Sequence, residues 1–350
     1  MRSFSGIAIA TLALITAAPA LAADFRGLRP AYPTSWETGE DNPLRFEAGV
    51  RYWMSWGGQD ATFPSVFGNT VLSERDQTHI GEGYFRIDDL STQSYLKAYG
   101  GLNIAASGNY QLQQPGIPSI DAGLGGAGRV GYIVSDFGWL PFGEMRDGFA
   151  LGGLVGYQYW NDSPDIGRGN FAVINSPSDI SWTPGSATYS YGGDSKPDNL
   201  DIHALRLGVT AQVDINDQFD IRAEAAAIPY SWVSGTLGPH EIPVLRSGTT
   251  TYVKASETRV TGHGYGAAGE LMVGFHPTEN LTLRVGGRAW YVGGTLDATY
   301  KEAAITDPSA STPPVPIDTP PGLSLQNYIV QSQFAQVFRY GALVELTGRF

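Results

Sequence analysis

The five histidines stand at 79, 203, 240, 263 and 276, and the chain has no cysteine. Thiolate metal sites, disulfide scaffolds and thiol nucleophiles are therefore excluded. No histidine has ligand spacing such as H-E-x-x-H, so no metal and no cofactor are expected. Two spacings could do acid–base work. Asp201-Ile202-His203 puts a carboxylate and an imidazole two residues apart, on one face of a strand. His240-Glu241 places the same two groups side by side in a loop. A carboxylate that orients an imidazole equips it to take a proton from water. Asp201, His203, His240 and Glu241 are thus the catalytic candidates. The face carrying Asp201 and His203 continues as Leu205 and Leu207, so that pair also suits an interfacial, structural role.

A second set of groups is defined by alternation. Arg45, Glu47 and Arg51 fall on one face of a segment whose other face is Leu44, Phe46, Ala48, Val50, Tyr52, Met54 and Trp56. Arg206 and Asp214, Arg222 and Glu224, Glu270, Arg284 and Arg288, and Arg339 and Glu345 repeat the arrangement further along. Period-2 alternation is the signature of strands with one apolar and one polar face. Charges gathered on the inner face of a closed sheet must pair or meet water. These twelve residues are expected to cross-link a narrow lumen.

Segments of this kind, 12 to 20 residues long, are far longer than soluble strands, which average about 5–6 residues. Ten are predicted, near 44–56, 73–88, 93–104, 124–138, 148–160, 200–214, 218–235, 256–276, 279–300 and 328–350. Short turns alternate with long, polar, Pro- and Gly-rich loops at about 57–72, 105–123, 161–199, 236–255 and 301–326. An even strand count with alternating short and long connections predicts an all-β, antiparallel, transmembrane up-and-down barrel of about ten strands. Glycine at 45 of 350 residues fits the close backbone approach of a small cylinder. Trp53, Trp56, Trp160, Trp232 and Trp290 near the long-loop ends, and Trp139 near a short turn, are expected to form interfacial girdles. A net charge of −12 lacks the basic footprint of a nucleic-acid binder.

Residues 1–22 read as a cleavable signal peptide: Arg2, an apolar run from Ile7 to Ala17, and Ala20-Leu21-Ala22 as the cleavage site. Residues 23–43 would be a periplasmic segment and 44–350 the barrel. Outer-membrane location in a Gram-negative envelope follows as an expectation, with membrane lipid and lipopolysaccharide as partners. Phe350, closing an alternating strand, resembles the terminal signal read by the barrel-assembly machinery.

The layout resembles the omptins, ten-stranded outer-membrane proteases. Phe149 to Gln158, Leu207 to Thr210 followed by Phe219 to Ser234, and Gly266 to Pro277 followed by Leu281 to Tyr291 look like omptin strands. The resemblance implies an Asp pair in a Gly-Asn-x-x-Asp-x-Asp stretch facing an Asp-x-His pair. The matching stretches are Gly108-Asn109-Tyr110-Gln111-Leu112-Gln113-Gln114 and Gly238-Pro239-His240. Leu112, Gln114 and Gly238 replace three carboxylates, and only His240 remains. An omptin-like barrel without proteolysis is the expectation, in a structural, surface-binding or narrow-passage role. An endopeptidase or lipid A-modifying enzyme with a rearranged site, and a small channel, are the competing readings.

Overall fold

The computed structural model describes residues 43–65, 68–124, 128–145, 148–183, 186–308 and 319–350. The expected signal peptide and the segment up to residue 42 lie outside them. Ten long strands make the fold: β1 (Leu44–Ser65), β2 (Gly68–Asp89), β3 (Ser94–Gln113), β4 (Arg129–Glu144), β5 (Phe149–Ser163), β6 (Asn199–Asn216), β7 (Phe219–Thr236), β8 (Arg259–Thr278), β9 (Leu281–Thr306) and β10 (Phe334–Arg349). Each pairs antiparallel with its sequence neighbour. β10 then pairs antiparallel with β1, from Glu47↔Arg349 to Thr62↔Phe334, and the ring closes without an edge.

The outer face is apolar where hydrocarbon would touch it. Val50, Leu102, Ile133, Val155, Val209, Leu271 and Val285 are all exposed. Along β1 the apolar row runs from Leu44 to Trp56. At about 3.3 Å per residue and a tilt of about 40° it rises roughly 30 Å, which matches a hydrocarbon core. Its outer end carries a collar of Tyr52, Tyr157, Tyr230, Trp232, Tyr265 and Tyr340. Beyond the collar the outward positions turn polar, as at Asn161, Asp201, Arg259 and Asp297. Residues past the collar thus stand clear of the apolar belt.

Three expectations are corrected. The segments 57–72 and 105–123 are largely strand, not loop. β1 and β2 continue past the collar to a hairpin at Ser65↔Gly68, and β3 continues to Gln113, where Ile120–Leu124 pairs back on it. The Gly57-Gly58 pair and Pro64 gave these stretches a loop composition, yet the inward row Gln59, Ala61 and Phe63 stays buried. The strand expected to end at 138 runs on to Glu144, so Pro141 lies inside β4. Pro141 occupies a register shift between Trp139 and Phe142, where its missing N–H costs no ladder bond. Trp53, Trp160 and Trp290 are not girdle residues: they are 0–3% exposed, inside the barrel. Parity explains it, because Trp53 shares the face of Arg51, and Trp290 that of Arg288.

β9 overshoots the ring. Its outer part pairs with Thr250–Lys254 on one side and Gly322–Gln331 on the other, so a small sheet stands above the barrel. Its outward face, with Val253, Ala303 and Ile305, packs on Ala172, Ile174 and Ile180 of the long 164–198 connection. Its inward face is left to line a cleft.

Candidate functional site: a filled lumen below a loop-end cleft

The lumen is filled in layers. Nearest the short turns, Glu47 accepts from Arg222 at 3.0 Å and from Arg284. Arg284 also reaches Asp220 at 3.0 Å and Glu345 at 2.5 Å, so one guanidinium serves three carboxylates. Arg45 and Arg86 both hold Asp88, at 3.0 and 2.6 Å. One storey up, Arg51 bonds Glu345 and lies 3.4 Å from Glu270; Arg288 pairs with Glu82 and Glu270 at 2.7 and 2.8 Å. Lys97 bridges Glu224 and Asp136, and Arg206 approaches Asp136 at 3.3 Å. The Arg51 guanidinium stacks over Tyr84 at 3.8 Å and Arg288 over Tyr99 at 4.3 Å.

An aromatic layer caps these charges. Tyr132 stacks on Trp160 at 4.9 Å, and Trp160 packs against Trp290 at 4.8 Å and Trp53 at 6.4 Å. Above it Arg339 holds Asp76 at 2.8 Å and Asp162 at 3.6 Å. The voids left among the charged and aromatic layers measure about 20 and 10 Å³, room for single waters. Eleven of the twelve predicted lumen residues take part. Asp214 does not: it lies exposed at the short-turn rim, where its backbone N–H donates to Gly148, and β6 shifts register just after it. Sequence reading passed over Glu82, Asp88, Lys97, Asp136 and Asp220. Asp88 reads as a turn residue, and Asp136 lies on the strand with the faintest alternation.

Asp201 and His203 do not act on each other. Asp201 accepts from Tyr159 Oη at 2.6 Å, Asn161 Nδ2 at 2.9 Å and Asn199 Nδ2 at 2.7 Å. His203 Nδ1 shares a 2.6 Å hydrogen bond with Tyr157 Oη, and its ring stacks on Trp232 at 5.4 Å. Both face outward, His203 at the collar and Asp201 just beyond it, each satisfied by its own neighbours.

His240 and Glu241 lie at the mouth. The positions matching the omptin pairs do converge: the Glu241 backbone N–H donates to Gln114 Oε1 at 2.7 Å. The chemistry does not follow. The His240 imidazole is buried, with Nδ1 2.9 Å from Thr258 Oγ1, and no carboxylate among the described residues orients it. Burial and the Lys254 ammonium, which donates to the His240 carbonyl, push its pKa down to about 3. Gly238 admits no side chain, since a Cβ would lie 2.5 Å from the backbone nitrogen of Asp198. Leu112 is fully buried in the apolar core.

What the mouth offers is space. A half-open cleft of about 950 Å³ lies between the β1–β2 hairpin and the inward face of the upper sheet. Phe63, His240, Tyr252, Tyr300, Glu302 and Tyr328 are among its walls. Among the described residues no group of three metal-ligating side chains converges there or elsewhere.

No protein-family model and no curated protein sequence matches the chain. Among solved structures, the outer membrane protease OmpT from Escherichia coli aligns with 90% of this chain and 99% of its own, at 13% identity and a TM-score of 0.53. The translocator domain of autotransporter NalP from Neisseria meningitidis aligns at 12% identity and a TM-score of 0.31, over 95% of this chain and 98% of its own. The Pseudomonas putida toluene transporter TodX aligns at 9% identity and 0.26, over 90% and 92%; neither of these two scores carries weight. At 13% identity the likeness is one of fold, and that fold, a closed ten-stranded antiparallel barrel, is similar to that of OmpT.

Proposed function

We propose that this chain is an outer-membrane barrel closed to solutes, which works as a surface-binding protein through its loop-end cleft. The carrying observation is the contrast between the lumen and the mouth. Ion pairs and stacked rings fill the interior, while the cleft above the collar has the size of a small-molecule site. The outward apolar belt, the aromatic collar and the fold shared with an outer-membrane protease support the location. Lipid and lipopolysaccharide would then surround the belt, and Phe350, 73% exposed beside the β1–β10 closure, is available to the assembly machinery. Proteolysis is disfavoured because His240 lacks an orienting carboxylate among the described residues, and burial beside Lys254 leaves it a poor base.

The test joins two measurements on the whole chain. Cell fractionation with heat-modifiable gel mobility should find a folded outer-membrane barrel. Planar bilayers should then stay silent. Recovery as a soluble periplasmic protein would remove the location, and steady single-channel steps would remove the closed lumen.

A further inference from the structure

We infer that the loop-end cleft is a binding site for an organic cation carrying a quaternary ammonium head, held by Glu302 against the rings of Tyr300, Tyr328 and Tyr252. The inference deepens the surface-binding reading above and rests on it. Three independent features lead there.

The first is an isolated carboxylate. Glu302 is 8% exposed and lines the cleft. The Tyr328 hydroxyl donates to it, and burial raises its pKa. No lysine or arginine pairs with it among the described residues. Its cross-strand neighbour Lys254 turns away, spending its ammonium on the His240 backbone carbonyl. Among the described residues eight of the ten other buried carboxylates have a guanidinium or ammonium within 4 Å, as at Glu47, Glu82, Asp88 and Glu345; the two that do not, Glu74 and Asp198, bond Gln59 and the Gly238 N–H and lie outside the cleft. A desolvated carboxylate with a neutral donor alone is an incomplete pair, and a cation completes it.

The second is the aromatic wall. Tyr300 and Tyr328 are register partners on adjacent strands, and their rings lie 5.8 Å apart at 12°. His240 packs against Tyr300 at 5.8 Å and is neutral, so it adds a ring and no repelling charge. Tyr252 lines the same cleft, opposite Ala304 on the neighbouring strand, two residues along from Glu302. Ring faces carry negative quadrupole density and attract cations, and methylated ammonium groups suit such walls because they are weakly hydrated.

The third is shape and surroundings. Phe63, Pro64 and Ile242 supply apolar wall beside the polar Thr70, Glu241 and Gln331, and that apolar part complements methyl groups rather than a strongly hydrated primary ammonium or a planar guanidinium. A volume of about 950 Å³ admits the head together with a body of several further atoms. Among the described residues lining the cleft Arg246 is the one exposed cation, so a zwitterion with a carboxylate distal to its ammonium is also of the right polarity.

The experiment uses the full mature barrel refolded in a maltoside detergent, free of choline and amine-oxide heads. Choline chloride is titrated by calorimetry against matched sodium chloride, with N-acetyl-lysinamide in a parallel arm. Saturable choline binding is expected, weakened about tenfold or more by Glu302→Gln and by Tyr300→Ala, with heat-modifiable mobility retained in both variants. Tyr300→Phe keeps the ring and should keep most of the affinity. No saturable choline binding by a folded, non-conducting barrel overturns the ligand and leaves the surface-binding reading standing. Binding untouched by Glu302→Gln, or lysinamide binding tighter than choline, also overturns it. A conducting barrel would instead strike at the closed-lumen reading itself.

Discussion

The side-chain carbonyl of Gln114 accepts the backbone N–H of Glu241 at 2.7 Å, tying the end of β3 to the β7–β8 connection. Two loops that meet in this way could have formed an acid–base site, and here they form a brace. Gly238 N–H donates to Asp198 at 3.2 Å, and Gly169 N–H to the Gly238 carbonyl at 2.9 Å, which extends the brace to the 164–198 connection.

Restoring a carboxylate at the brace should not restore peptide hydrolysis. Gln114→Asp supplies a base without freeing the buried His240, and Gly238→Asp drives a Cβ into the backbone around Asp198. A fluorogenic dibasic peptide should stay intact with folded Gln114→Asp protein. Turnover above the buffer rate would show that the mouth retains a water-activating geometry. Gln114→Leu should loosen the brace instead, leaving the Glu241 N–H without its acceptor at a cost of about 1–3 kcal/mol. Faster proteolytic nicking between 237 and 247 reads that out.

Arg284 is the charge whose loss should matter most. Its guanidinium touches Glu47, Asp220 and Glu345, all buried. Arg284→Ala leaves Glu47, Glu345 and Asp220 with only Arg222, Arg51 and Arg349 respectively as guanidinium partners, and removal of one partner from a buried ion pair costs about 3–5 kcal/mol. Arg75→Ala removes an equally short pair, 2.8 Å from Asp60, but with a side chain 62% exposed. Such surface pairs contribute about 0–1 kcal/mol. Urea unfolding of both variants in vesicles should separate them by at least 2 kcal/mol, and similar losses would refute the ranking.

Close backbone approach makes a third test. The ring of Tyr95, 1% exposed, lies across Gly138 of β4, and a Cβ there would sit 2.2 Å from its Cε1. Gly138→Ala forces Tyr95 off its position, at about 1–3 kcal/mol for an overpacked interior. Adding Tyr95→Ala should recover part of the loss relative to the sum of the single changes. Strict additivity would mean the ring does not depend on the glycine.

Strand number, direction and facing were legible because side-chain parity is a local property. A residue such as Arg51 or Val50 declares its face from its neighbours alone. Parity also held the answer for Trp53 and Trp290, but the habit of placing tryptophan at interfaces overrode it. The ion-pair partners were not legible. Arg51 and Glu345 are 294 residues apart, and which acid meets which base depends on the shear of the closed ring rather than on any local pattern. The cleft was hidden for a related reason. Glu302 falls in the 301–326 stretch, whose composition reads as loop, with Tyr300 and Tyr328 at the ends of the strands expected on either side, and only the overshoot of β9 makes them one wall.

Acid should stabilise the mouth. Asp162 and Asp198 lie past the collar, where the neighbouring outward positions are polar. Burial, with the like charges of Asp76 and Asp198, lifts Asp162 to about 7 against the pull of Arg339, and burial lifts Asp198 to about 6. An acid whose pKa is raised on folding binds more protons folded than unfolded between the two values. Its contribution is complete below the ordinary aspartate value near 4 and is lost as pH climbs towards 7, by at most about 1.4 kcal/mol per pH unit for each group. Asp162→Asn mimics the protonated form. It should melt above the parent by clearly more at pH 8 than at pH 5, by heat-modifiable mobility against temperature. The same offset at both pH values would mean that Asp162 is ionised throughout and that Arg339 holds it fully.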